Sequence, residues 1–186
     1  MCDENDEPLF LTLPPGDRSF VGRVMEGRDL MMARLAGVDM TGVDLYWGSL
    51  HDAVLEGAIL RDGDFRGAVF NGANLRDADL RGANFSLDNL GGSTDFHKAD
   101  LTGADLRNAR IGGAHFFGAK LVGADLRGAW GKSIFADRPT RFDGADLTDA
   151  RLGGAELTGC IFDDATRLPR AFDARKAGLI HVSKKN

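Results

Sequence analysis

From Phe20 onward every fifth residue of the chain is large and apolar. The run reads Phe20, Met25, Leu30, Leu35, Met40, Leu45, Leu50, Leu55, Leu60, Phe65, Phe70, Leu75, Leu80, Phe85 and Leu90. One extra residue near Gly91-Gly92-Ser93 shifts the frame, which resumes as Phe96, Leu101, Leu106, Ile111, Phe116, Leu121 and Leu126. After a longer break come Phe142, Leu147, Leu152, Leu157 and Phe162. Two residues before each of these centres the chain is small in most repeats, as at Ala73, Ala78, Ala83, Ala104, Ala145 and Cys160. Asp or Asn often precedes the centre, and Gly or Asp often stands two residues after it.

A period of five matches neither the 3.6 of a helix nor the 2 of a long strand. It matches a chain that turns a corner every five residues. The centre and the residue two before it point to the same side of a short extended segment, so both face inward. One large and one small side chain per face fill a narrow interior, and the Gly-rich position opens backbone conformations that L-residues resist. Four such faces close a square of about 20 residues per coil, with neighbouring coils ~4.8 Å apart. The predicted core therefore includes Leu45, Phe65, Leu75, Phe85, Leu106, Phe116, Leu126 and Leu147.

The repeated word, plain in Gly72-Ala73-Asn74-Leu75-Arg76 and Gly103-Ala104-Asp105-Leu106-Arg107, resembles that of the pentapeptide-repeat family. The resemblance runs from about Phe20 to Phe162. It implies an all-β fold, a right-handed quadrilateral parallel β-helix of about seven coils with short N- and C-terminal caps. Coils of a solenoid contact only their neighbours, so the stability expected is a sum of nearest-neighbour terms.

Three stretches leave the pattern. Residues 1–8 are acidic and expected to be disordered, and Leu9-Phe10-Leu11-Thr12-Leu13-Pro14-Pro15 reads as an N-terminal strand or cap. Residues 127–141 form an insertion holding Trp130, Lys132, Ile134, Phe135, Arg138 and Pro139. It either folds back to seal the cylinder or binds a partner, since loops on rigid scaffolds so often carry function. Residues 165–186 resemble a closing segment of the family. In that reading Leu168, Phe172 and Leu179-Ile180 cover the last coil, the alternative being a homodimer contact through this end.

Composition removes most chemistry. The chain has 186 residues, 43% hydrophobic and 27% charged, with 25 glycines but 5 prolines, which suits one folded domain rather than a disordered chain. No apolar run is long enough to span a membrane, the N-terminus lacks the basic start of a secretory signal, and two cysteines make no disulfide framework. A cytoplasmic protein is the expectation. His51, His97 and His115 fall on outward positions and His181 in the tail, so no metal site converges, and Cys160 is a small buried filler. Gly131-Lys132-Ser133 lacks the glycine a phosphate loop needs at 126, where Leu126 stands. Catalytic residues, cofactors and metals are expected to be absent, and the protein is not an enzyme.

Function then lies on the outside. With a one-residue slip, residues a coil apart align Asp44, Asp64, Asn84, Asp105 and Asp125 in one outward column beside Tyr46, Arg66, Ser86, Arg107 and Arg127. Residues 9–164 carry a net charge of −6 and residues 165–186 carry +5. An acidic rod as wide as a duplex should avoid nucleic acid and attract proteins that bind it. The family resemblance sharpens this into a DNA mimic that binds DNA gyrase or topoisomerase IV and protects it from topoisomerase poisons. Its contacts would be residues of the 127–141 insertion and the Asp44, Asp64, Asp105 and Asp125 face. The alternative is a generic protein-interaction scaffold.

Overall fold

The computed structural model describes residues 19–183, so the disordered start expected at 1–8 and the strand or cap expected at 9–15 lie outside the described residues. The chain climbs as a four-sided coil. Parallel bridges join successive coils in four ladders, one per side. The first runs Ser19, Asp39, Ile59, Asp79, Asp105, Asp125, Arg151, and the second Val24, Asp44, Asp64, Asn84, Arg110, Trp130, Glu156. The third runs Asp29, Ser49, Val69, Asp95, His115, Arg141, Ile161, and the fourth Arg34, Val54, Asn74, Asp100, Lys120, Asp146, Arg167. Each extended stretch is too short to form a longer strand. Among the described residues only the pair β1 (Ile161–Phe162) and β2 (Ile180–His181) does so, in parallel register.

One set of hydrogen bonds repeats on every side. The central residue donates to the coil above and the residue before it donates to the coil below, as in Leu45 N to Asp64 O and Asp64 N to Val43 O, both 2.8 Å. The corner closes when a small residue's N–H returns to the preceding central carbonyl, as in Ala68 N to Phe65 O at 3.0 Å. Such a turn needs positive φ at its third residue, which Gly72 (69°) adopts without cost. Asp52, Asp62, Asp77, Asn108 and Asp149 also adopt it, the short polar residues that best tolerate that conformation.

Inside, Leu45, Phe65, Leu75, Phe85, Leu106, Phe116, Leu126 and Leu147 are buried, while Leu152 and Phe162 are only partly buried. Phe70, Phe96, Phe116 and Phe142 stack in one vertical file with ring centroids 4.9, 4.8 and 5.1 Å apart. Cys160 is buried in the core near Gly131 as a small filler, and burial pushes its thiol up to about 12.

Leu90 is a correction. It is 82% exposed and belongs to no side of the square. Asp95 pairs with Val69 and Arg110 with Asn84, so the step from Phe85 to Phe96 is a single side carrying six extra residues, not two sides with one. The second insertion is the same event. Trp130 still bridges Arg110 and Glu156, and Gly131 occupies a central position, so the departure begins after Gly131 rather than at Arg127. A Cβ on Gly131 would stand 3.0 Å from Cys160 Sγ and 3.1 Å from Leu157 Cδ2, so these residues of the coil above fill its place.

At the C-terminal end Leu168 and Phe172 pack against the core and Leu179 is buried. Ile180 was expected to help cover the last coil, but it is 51% exposed. Its backbone extends the third ladder through Ile161, and alternation along an extended segment turns the side chain after buried Leu179 outward.

Truncating the file tests this register. Phe96→Ala should lower unfolding free energy in urea by about 3–5 kcal/mol, whereas Leu90→Ala should change it by less than about 0.5 kcal/mol, as exposed positions do.

Candidate functional site

Both six-residue insertions leave from the same corner, between the second and third ladders, with one uninterrupted coil between them. We call residues 86–95 the lower loop and 132–141 the upper loop. The coil between them presents Gly112-Gly113 where most corners carry a side chain. A Cβ on Gly112 would stand 2.6 Å from Lys132 O, and one on Gly113 (φ 84°) would collide with the Leu87 side chain. The bare glycine backbone thus lets both loops close onto the rod.

Each loop re-enters the coil through a buried threonine. Thr94 Oγ1 donates to Phe65 O at 2.8 Å, and Thr140 Oγ1 lies 2.9 Å from Ile111 O and 2.7 Å from Gly113 N. The lower loop is tied further by Asp88, which is fully buried. It accepts hydrogen bonds from Trp47 Nε1 (2.8 Å), Tyr46 OH (3.2 Å) and the Gly92 N–H. Burial opposes ionisation of Asp88, but these donors outweigh it and hold the carboxyl below the usual range. The loops also touch: Arg138 Nη1 donates to Gly91 O at 2.6 Å.

Around this corner lie three recesses. Trp130, Lys132 and Ile134 share one of about 180 Å³ with Arg66 and Arg110. Phe135 and Arg138 share another, of about 260 Å³, with Leu90 and Gly91 of the lower loop. The third lies beside His115 and Arg141, and burial lowers the basicity of His115. Trp130 (53% exposed) and Ile134 (78%) project into solvent, and Phe135 is partly exposed. The side chains that could have sealed the cylinder therefore remain outside it.

The acidic column does not exist as expected. Asp44 and Asp64 stand on the second ladder, whereas Asp105 and Asp125 stand on the first, because the lower loop displaces every later residue by one side. On the first ladder Asp79, Asp105 and Asp125 interleave with arginines. Arg61 and Arg81 reach Asp79 at 2.6 and 2.9 Å, Arg107 reaches Asp105 at 2.6 Å, and Arg127 reaches Asp125 at 2.6 Å. Arg107 donates hydrogen bonds that hold the Asp105 carboxyl below the usual range, and Arg127 does the same for Asp125. For Asp79, burial works the other way and is outweighed by hydrogen bonds from Arg81 and Arg61. This side is neutralised from within. Further acidic residues stand on the third ladder and the corner after it, at Asp29, Asp52, Asp95, Asp143 and Asp164, with Arg141 2.8 Å from Asp143 and His181 2.9 Å from Asp164.

Among the described residues no group of three or more His, Cys, Asp or Glu could hold a metal, and no helix is long and apolar enough to cross a membrane. Sequence reasoning missed Arg66, Arg110 and the lower loop as neighbours of Trp130. Asp88 was the available signal, since a carboxylate at the small inward position before Leu90 contradicts a core register there.

A family model described as pentapeptide repeats matches residues 49–86, 94–129 and 140–166 in eight copies. Among solved structures, the pentapeptide-repeat protein alr5209 from Nostoc PCC 7120 is 34% identical. It covers 64% of this chain and 84% of its own, with a TM-score of 0.34. QnrB1, described as a plasmid-mediated fluoroquinolone resistance protein, is 18% identical over 88% of this chain and 93% of its own, with a TM-score of 0.51. That likeness is one of fold. No curated protein matches the sequence.

Two outcomes check this geometry. Gly113→Ala should dislodge Leu87 and lower the melting temperature by several degrees, whereas Gly123→Ala, with no atom near its Cβ, should cost only the backbone strain. For pH, the Asp79, Asp105 and Asp125 carboxyls release their protons more readily folded than unfolded. Their stabilisation is complete above the unfolded value of about 4 and is lost as pH falls through the lower folded values. The urea midpoint should drop between about pH 5 and pH 2, and Asp105→Asn should flatten that drop.

Proposed function

Because the chain belongs to the pentapeptide-repeat family, whose members form right-handed quadrilateral β-helices, we propose that it is a non-catalytic protein-binding solenoid whose contact region is the two-loop corner. One observation carries this reading. Two insertions at one corner are tied to each other and to the rod, and beside Trp130 of the second ladder the upper loop exposes Ile134 and Phe135. Exposed aromatic anchors on a rigid support are what protein interfaces use.

The finer proposal is that the partner is a type II topoisomerase, DNA gyrase or topoisomerase IV, protected here from poisons such as quinolones. QnrB1, a fluoroquinolone resistance protein, supports it through the shared fold over most of both chains. The acidity that would imitate DNA is assigned to the third-ladder side, next to the loops, in place of the Asp44-to-Asp125 column. A cytoplasmic location and either a cap or a homodimer contact at residues 165–186 belong to the same proposal.

The test is gyrase supercoiling in the presence of a fluoroquinolone. The wild-type chain should preserve activity. Deleting residues 134–139 together with Ser133→Gly restores a five-residue step and should abolish protection while the melting temperature holds. Absence of rescue by the wild-type chain at any stoichiometry would overturn the topoisomerase assignment and favour a scaffold for another partner.

A further inference from the structure

The recess shared by Arg66, Arg110, Trp130, Lys132 and Ile134 has a charge opposite to that of the rod as a whole. No carboxylate lines it. Arg66 is fixed at its lower edge, with Nη2 2.6 Å from Asp64 Oδ2 and the guanidinium stacked over Tyr46 at 5.3 Å. Arg110 stands above it on the second ladder, between Asn84 and Trp130. Among the described residues neither Arg110 nor Lys132 makes an ion pair, although elsewhere arginines of this chain pair repeatedly with neighbouring aspartates. The Trp130 indole N–H likewise has no hydrogen-bond partner among the described residues. Gly112 lines the recess with Lys132, whose backbone packs close over it.

We propose that this recess is a docking slot for an acidic peptide segment of the partner protein. A carboxylate side chain enters between Arg110 and Lys132, and an apolar neighbour packs on Trp130 and Ile134. Charge complementarity selects the occupant, because cations beside an exposed aromatic recruit and orient anionic side chains. Arg110 and Lys132 make no ion pair within 4 Å among the described residues, although Lys132 also attracts Glu156 on the coil above Trp130. A volume of about 180 Å³ suits one or two side chains. A phosphate polymer fits poorly: the third-ladder acids lie around the same corner, and the chain carries a net charge of −5. The slot rests on the reading of the two-loop corner as a protein-binding region and names the chemistry of what it takes.

The experiment uses the full chain and a fluorescein-labelled dodecapeptide repeating Glu-Asp-Leu. A Lys-Arg-Leu peptide and a thymidine dodecanucleotide are the controls. The acidic peptide should bind, change the fluorescence of Trp130, and weaken as salt rises. Arg110→Glu and Lys132→Glu should each weaken it at least about tenfold with an unchanged melting temperature, and Trp130→Phe should remove the fluorescence response. Lys132→Glu, in the loop, decides the matter if Arg110→Glu does not fold. Equal binding by the charge-reversed chains, no binding by the acidic peptide, or preference for the oligonucleotide would overturn the slot. Gyrase protection that survives Lys132→Glu but not the loop deletion would remove the slot and leave the topoisomerase assignment standing. Peptide binding without gyrase rescue would do the reverse.

Discussion

Everything in this molecule depends on closing a corner and regaining the hydrogen bonds of the adjacent coil within five residues. The constraint acts on three positions at once. The centre must be large, the inward residue two before it small, and the third residue of the turn able to take positive φ. Where extra residues interrupt the count, buried hydroxyls complete the bonding. Thr94 and Thr140 occupy equivalent places at the ends of the two loops, and Thr166 does the same at the last irregular corner, donating to Phe142 O. The loops are thus accommodated by the hydrogen-bonding rule that shapes the rest of the rod.

Vertical stacking has an electrostatic consequence. Equivalent positions lie one strand spacing apart, so a repeated aspartate would repel itself up the ladder unless cations interleave. The first ladder meets that condition with arginines from its own corners. Net charge therefore says little about any one side, and sides differ by which columns lack a neutralising neighbour. Acidic residues outnumber basic ones on the third ladder and the corner after it, and the two-loop corner gathers Arg66, Arg110 and Lys132. Recognition chemistry concentrates where the repeat is broken.

The square section, the buried centres and the small inward residues were legible in the sequence, because each follows from a pattern repeated many times. The error at Leu90 came from the same source. Insertions of one residue and of six leave an identical phase in a five-residue period, so periodicity alone cannot tell them apart. Asp88 held the missing information: placing it inward beside a supposed core leucine would bury a charge among apolar side chains, whereas in the folded chain it is buried with Tyr46, Trp47 and Gly92 as donors.

By itself the sequence determined the repeating unit, since local side-chain size and turn chemistry recur in every repeat. Only the tertiary structure decided which residues share a side. A ladder joins residues a full coil apart, and one loop rotates everything after it by a quarter turn. That rotation separated Asp44 and Asp64 from Asp105 and Asp125 and brought Arg66, Arg110 and Trp130 together. Hydrogen bonds between coils set this register, and they have no signature in the local sequence.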